Sequence, residues 1–116
     1  MSKRRDSDLL SDIREAARRL MAYTAGMTFE AFMVDNKTQD AVMRNLEIIG
    51  EATNNLSATL REKYPAVPWK SMAGVRDRLI HHYFGVNLDI IWEIVTIELP
   101  KIVLLLEKIK EHEGYN

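Results

Sequence analysis

Apolar residues recur at three-to-four spacing along nearly the whole chain. Leu9, Ile13, Ala16, Leu20 and Tyr23 mark one face of a first helix. Gly26 suits its stop, because glycine enters the left-handed conformation freely. Thr28 is placed to cap a short helix holding Phe29, Phe32 and Met33, with Met27 and Phe32 spaced as a hydrophobic staple. A second long helix is predicted from Asn36, which has capping-box spacing to Gln39, and its seam is Val42, Leu46, Ile49, Thr53, Leu56 and Leu60. Gly50 interrupts that seam at a cost of roughly 1 kcal/mol relative to Ala. Such a residue is expected where another element approaches closely. Pro65 ends the segment, and Val67-Pro68-Trp69 makes a bend, with Pro68 at the first position of a short helical turn. A third main helix is predicted over 71–84, stopped by Gly85. Asn87 caps the last helix, whose face is Leu88, Ile91, Val95, Leu99, Ile102, Leu106 and Ile109. Pro100 falls inside that period and should kink the helix, since the apolar pattern continues beyond it.

No stretch alternates with period two for long enough to build a sheet. The expected fold is all-α: one domain over 1–116, an antiparallel bundle of four main helices with short helical pieces, with flexible ends at 1–7 and 112–116. The last helix also carries Ile97, Val103, Leu104 and Leu105 off its main stripe. This surplus fits either a homodimer interface or a wider intramolecular core.

Composition narrows the chemistry. Of 116 residues, 47% are hydrophobic and 28% charged, a globular balance. Five glycines and three prolines leave little room for long loops. The absence of cysteine excludes disulfides, thiol catalysis and cysteine-based zinc sites. A formal net charge of -1 means that any binding of nucleic acid must use a local cationic patch. Lys3-Arg4-Arg5 is followed by no apolar stretch of the kind a secretory signal needs, and the longest aliphatic run, Ile102 to Leu106, is too short to span a bilayer. A cytoplasmic location with no membrane partner is expected.

The chemistry-bearing stretch is Gly74-Val75-Arg76-Asp77-Arg78-Leu79-Ile80-His81-His82-Tyr83-Phe84-Gly85. On one continuous helix, Asp77 and His81 would share a face, so Asp77 could orient the imidazole. The helix dipole in the last turn would also favour its cationic form. Arg76 and His81 would stand about 140° apart around the same helix, so their convergence requires a wrapped Arg side chain, a distorted helix end or a second copy of the chain. Read blandly, His81 is a helix-end histidine, Arg76 pairs with Asp77 or Glu51, and Tyr83 is a boundary residue. Adjacent histidines point to different faces, so a metal site from His81, His82 and His112 is not expected. Asp40, Glu47 and Glu51 form a carboxylate stripe of the kind that usually faces solvent. Lys70, Arg76 and Arg78, with Arg61 and Lys63, are the candidates for a cationic patch.

Arg76-x4-His81-x-Tyr83 resembles the R-x4-H-x-Y motif of HepT-type toxins in the HEPN superfamily of helical nucleases. Thr38-Gln39-Asp40-Ala41-Val42, the run from Arg44 to Ala52, the Val67-Pro68-Trp69 bend and His81-His82-Tyr83-Phe84-Gly85-Val86 resemble the same family, over about 9–106. The resemblance implies a metal-independent endoribonuclease that needs no cofactor and promotes attack of a ribose 2′-hydroxyl on the adjacent phosphate. His81 would be the general acid or base, and Arg76 would stabilise phosphoryl charge. Asp77, standing where the family usually has Asn, would orient the site; Arg78 and Lys70, as members of the cationic patch read from the sequence itself, are the candidates for binding RNA. The resemblance further implies a composite site at a homodimer cleft. It also implies a type VII toxin–antitoxin pair, in which a minimal nucleotidyltransferase (MNT) antitoxin transfers AMP to Tyr83. The alternatives are a catalytically silent HEPN subunit that docks on a nucleotidyltransferase or binds a nucleotide, and a plain helical oligomerisation module.

Overall fold

A computed structural model describes residues 5–81 and 85–115, with backbone only at 80, 81, 85 and 86. Helix α1 covers Asp6–Thr24 and α2 covers Phe29–Met33. Helix α3 covers Asn36–Asn55, α4 Ala58–Lys63, α5 Trp69–Ala73 and α6 Val75–Leu79. Two-residue strands β1 (Ile80–His81) and β2 (Gly85–Val86) then pair antiparallel, Ile80 with Val86 and His81 with Gly85. A final rod comprises α7 (Leu88–Glu93), a π-helical segment (Ile94–Glu98) and α8 (Leu99–Glu113). The architecture is all-α apart from this minimal ladder.

Local chemistry sets most of the starts. The Thr28 side chain accepts the Ala31 N–H, and that of Asn87 accepts the Ile90 N–H, as the sequence predicts. The α3 cap lies one residue earlier than the predicted Asn36: Asp35 accepts the Thr38 N–H at 2.9 Å. Gln39 is therefore free to reach back, and its Nε2 donates to the carbonyls of Phe32 (2.8 Å) and Met33 (3.0 Å), tying α2 to α3. The predicted second helix is broken at Leu56, where Ser57 opens α4 and its side chain accepts the Leu60 N–H. Pro68 caps α5 and does not occupy its first position.

Helix α1 runs antiparallel to α3. The Asp6 carboxylate accepts the backbone N–H (2.9 Å) and hydroxyl (2.6 Å) of Ser57, just past the end of α3. The C-terminal rod lies on α1, fastened by Arg14 Nε donating to Glu107 at 2.8 Å. Ile13, Leu20, Leu46, Ile49, Leu79 and Ile91 fill the shared core, each 2% exposed or less, and each such burial is worth about 1.5–3 kcal/mol. Trp92 closes one end against Phe32 and Phe29, ring centroids 5.3 and 6.1 Å away. The segments expected to be loose hold anchored residues: Asp6 at one end, and at the other Glu113, which pairs with Lys63 at 2.6 Å.

Pro100 does not end the rod: it stands at the start of α8, directly after the π-helical segment. Proline has no N–H to donate, and its ring crowds the carbonyl four residues back. The chain responds by widening just ahead of it: the Leu99 N–H donates to the Ile94 carbonyl, and Thr96 Oγ1 donates to the Trp92 carbonyl at 2.7 Å. Such a turn takes one extra residue, shifting the rod's helical phase by about 100°. Among the described residues no helix is long and apolar enough to cross a membrane.

Candidate functional site

The third main helix predicted over 71–84 does not form. Gly74 divides it into α5 and α6, and α6 stops at Leu79. Strand pairing takes over: beyond the Ile80–Val86 and His81–Gly85 pairs, the Asn87 N–H donates to the Leu79 carbonyl at 2.8 Å. His81 therefore belongs to a strand. The shared helical face of Asp77 and His81, and the helix-dipole effect on His81, both fall away. The His81 side chain, His82 and the modification candidate Tyr83 lie outside the described residues. The 140° separation argued for Arg76 and His81 on one straight helix no longer applies, because the helix ends between them.

Arg76 projects from α6 into a groove of about 690 Å³. Its opposite wall is α3, through Arg44, Glu47, Glu51 and Asn54, and Asp12 of α1 and Asp77 also line it. Positions 44, 47, 51 and 54 differ by three, four and three, so they form one helical stripe. Gly50 makes the groove possible. A Cβ there would meet Val75 Cγ1 at 3.3 Å and the carbonyls of Ala73 and Met72 at 3.5 Å, so the α5–α6 turn rests directly on α3. Asn54 Nδ2 donates to the Ala73 carbonyl at 3.4 Å across the same seam. The close approach predicted from Gly50 is thus present. Asp40, Glu47 and Glu51 are exposed, as expected of a solvated stripe, and Glu47 and Glu51 line the same groove as Arg76. Sequence reading missed Arg44 as a site residue, although its spacing to Glu47 and Glu51 could have placed it there.

The cations divide into two kinds. Arg5, Arg14, Arg18, Arg19, Lys63 and Arg78 are held in ion pairs. Among the described residues Arg44 and Arg76 are in none, so both guanidiniums are available to a ligand. The pairing of Arg76 with Asp77 or Glu51 does not occur. Arg78, a predicted RNA contact, is occupied: its Nη1 and Nη2 donate to the two Glu98 carboxylate oxygens at 3.0 and 2.8 Å, and Nη1 also donates to Ser71 Oγ at 2.9 Å. The Glu98 carboxylate raises the Arg78 pKa above its ordinary value. Lys70 is exposed on α5 and borders an open, apolar-floored surface with Pro68 and Trp69. Among the described residues no three histidine, aspartate or glutamate side chains cluster so as to hold a metal ion.

A small helical domain with free guanidiniums beside a groove, at the edge of an R-x4-H-x-Y stretch, defines the class of protein. The family model described as "HepT-like: Ribonuclease HepT-like" matches residues 13–109, and the chain belongs to that ribonuclease family. It is 49% identical over 115 residues to the protein named "Putative RNase MJ0127" of Methanocaldococcus jannaschii, covering 98% of this chain and 95% of the relative. It is 42% identical over 109 residues to the "Probable ribonuclease HepT" of Thermococcus cleftensis, covering 94% and 99%. No solved structure matches the chain.

Proposed function

We propose that this protein is a metal-independent endoribonuclease, the toxin of a type VII toxin–antitoxin pair, acting in the cytoplasm. Arg76 and His81 carry the reaction. The ribose 2′-oxygen attacks the adjacent phosphorus as His81 takes its proton, the bond to the 5′-oxygen breaks, and that oxygen is protonated in turn. The products are a 2′,3′-cyclic phosphate and a 5′-hydroxyl. Arg76 stabilises the charge gathering on the phosphoryl oxygens. Asp77, on the groove beside it, orients the site, and Lys70 is a peripheral RNA contact. The observation carrying this reading is the unpaired Arg76 at an open groove, in a chain of a ribonuclease family that keeps the whole motif.

The working unit is a homodimer. Ile97 and Leu104, 52% and 66% exposed, lie seven residues apart on the C-terminal rod and supply an apolar face for a second copy. A nucleotidyltransferase antitoxin silences the enzyme by adding AMP to Tyr83, placing negative charge beside the RNA-binding residues. Wild type should cleave RNA in the presence of EDTA, whereas Arg76→Ala and His81→Ala should fold and leave RNA intact. Equal cleavage by all three would overturn the assignment. With the antitoxin and ATP, wild type should gain AMP-sized mass and Tyr83→Phe should not.

A second reading is favoured by one observation. Among the described residues the groove sets the carboxylates of Glu47, Glu51 and Asp77 beside the guanidiniums of Arg44 and Arg76, a lining poorly matched to a polyanion. A catalytically silent subunit docking on a nucleotidyltransferase would tolerate that lining. It predicts complex formation with no RNA cleavage by the free protein.

A further inference from the structure

The segment carrying the proposed catalytic pair is held from two sides. Successive residues of a helix turn by about 100°, so Arg76 and Arg78 leave α6 in nearly opposite directions. Arg76 faces the groove against α3. Arg78 faces the C-terminal rod, where it grips Glu98 with both terminal nitrogens, and one of these also donates to Ser71 on α5. Helix α6 has only five residues, too few to be rigid alone. Its backbone position must come from its neighbours: Val75 against Gly50 on one side and this clamp on the other. Both partners of the clamp are about one-third exposed, so it is shielded from full competition by water. Glu98 is the last residue of the π-helical segment. The extra residue in that turn sets the angle at which Glu98 leaves the rod, so the irregular helix and the clamp form one device.

From this geometry we infer that Arg78 and Glu98 are positioning residues of the ribonuclease site, fixing α6 and β1 so that Arg76 and residue 81 keep their relation. The inference rests on the nuclease reading for its catalytic meaning and on the bidentate contact for its structural one. Arg78 is therefore no contact for RNA. Bidentate geometry is essential, because lysine supplies a point charge and not a fork.

The test compares Glu98→Gln, Arg78→Lys and the exchanged pair Arg78→Glu with Glu98→Arg, on a fluorescent RNA oligomer and by amide hydrogen exchange. Both single variants should lower kcat at least 10-fold and leave KM within about 2-fold, since small misplacements of reacting groups cost rate and not affinity. The exchanged pair should recover part of the loss. Amide exchange at 76–81 should quicken at least 10-fold in Glu98→Gln, while α1 and α3 exchange as in wild type. A raised KM with unchanged kcat for Arg78→Lys, together with a flatter salt dependence, would instead make Arg78 an RNA contact and overturn the inference. Wild type that cuts no RNA sinks the nuclease reading alone. The exchange measurement then decides the clamp, and unchanged protection at 76–81 refutes it.

Discussion

Gly50→Ala is the sharpest probe of how the groove is built. The new methyl lies 3.3 Å from Val75 Cγ1, inside comfortable contact, and 3.5 Å from two backbone carbonyls. Taken alone, replacing glycine within α3 should stabilise by about 1 kcal/mol through helix propensity. Against this, Val75 is 4% exposed and β-branched, so its side chain has little χ1 freedom with which to yield. Overpacking of such a site costs about 1–3 kcal/mol. The net expectation is a loss of up to about 2 kcal/mol, or a fall in Tm of up to roughly 8 °C for a domain of this size. Val75→Ala removes the obstructing methyl and costs about 1.5 kcal/mol for its buried carbons. In that background Gly50→Ala should become stabilising. The assay is thermal unfolding of the four proteins of the double-mutant cycle, with coupling of at least about 1 kcal/mol expected. Equal shifts of Tm in both backgrounds, or a full gain for Gly50→Ala alone, would refute the claim that the α5–α6 turn is seated directly on α3.

Glu113 is held down to about 2 by Lys63 first and then by the Tyr64 hydroxyl. Its depressed value means its stabilisation is complete above the ordinary carboxylate value of 4.5 and is lost as pH falls through about 2. Glu113→Gln should flatten the acid limb of the Tm–pH curve in that window, and an unchanged limb would exclude the linkage. Asn87→Ala removes the cap of α7 and should cost about 1 kcal/mol in urea unfolding; a silent substitution would mean that the β2–α7 junction is fixed otherwise. Leu104→Glu should shift the light-scattering mass from dimer to monomer with the helical circular dichroism retained. A monomeric wild type would remove the basis for that expectation.

The parts of the fold that were legible in the sequence are those set by nearby residues. Thr28 and Asn87 cap their helices because a side-chain acceptor needs only the next turn to act. The α3 seam and Gly50 were legible because period and interruption both lie in one element. The break at Leu56 was hidden because the apolar spacing runs on through Leu60. Residues 71–84 misled for a tertiary reason. Their period is helical, and no proline or glycine stands between Leu79 and Gly85, but pairing with Gly85–Val86 outweighs local preference. The same blindness covered Arg78, since its partner Glu98 is twenty residues away, at the end of the π-helical segment. Arg76 was legible through its motif, whereas its opposing wall on α3 required the fold.

The helix boundary at Leu79 changes what the number four means in R-x4-H. Counted along a helix, the interval would fix an angle, and an insertion would swing the histidine by about 100°. Here the count spans the last residues of a helix and the first of a ladder. One inserted residue at the junction would send position 81 to the opposite face of the strand, a half-turn. Lengthening by two would restore the face and merely move it along by roughly 7 Å. At this junction the spacing governs which side of the strand position 81 takes, a matter of parity and not of rotation.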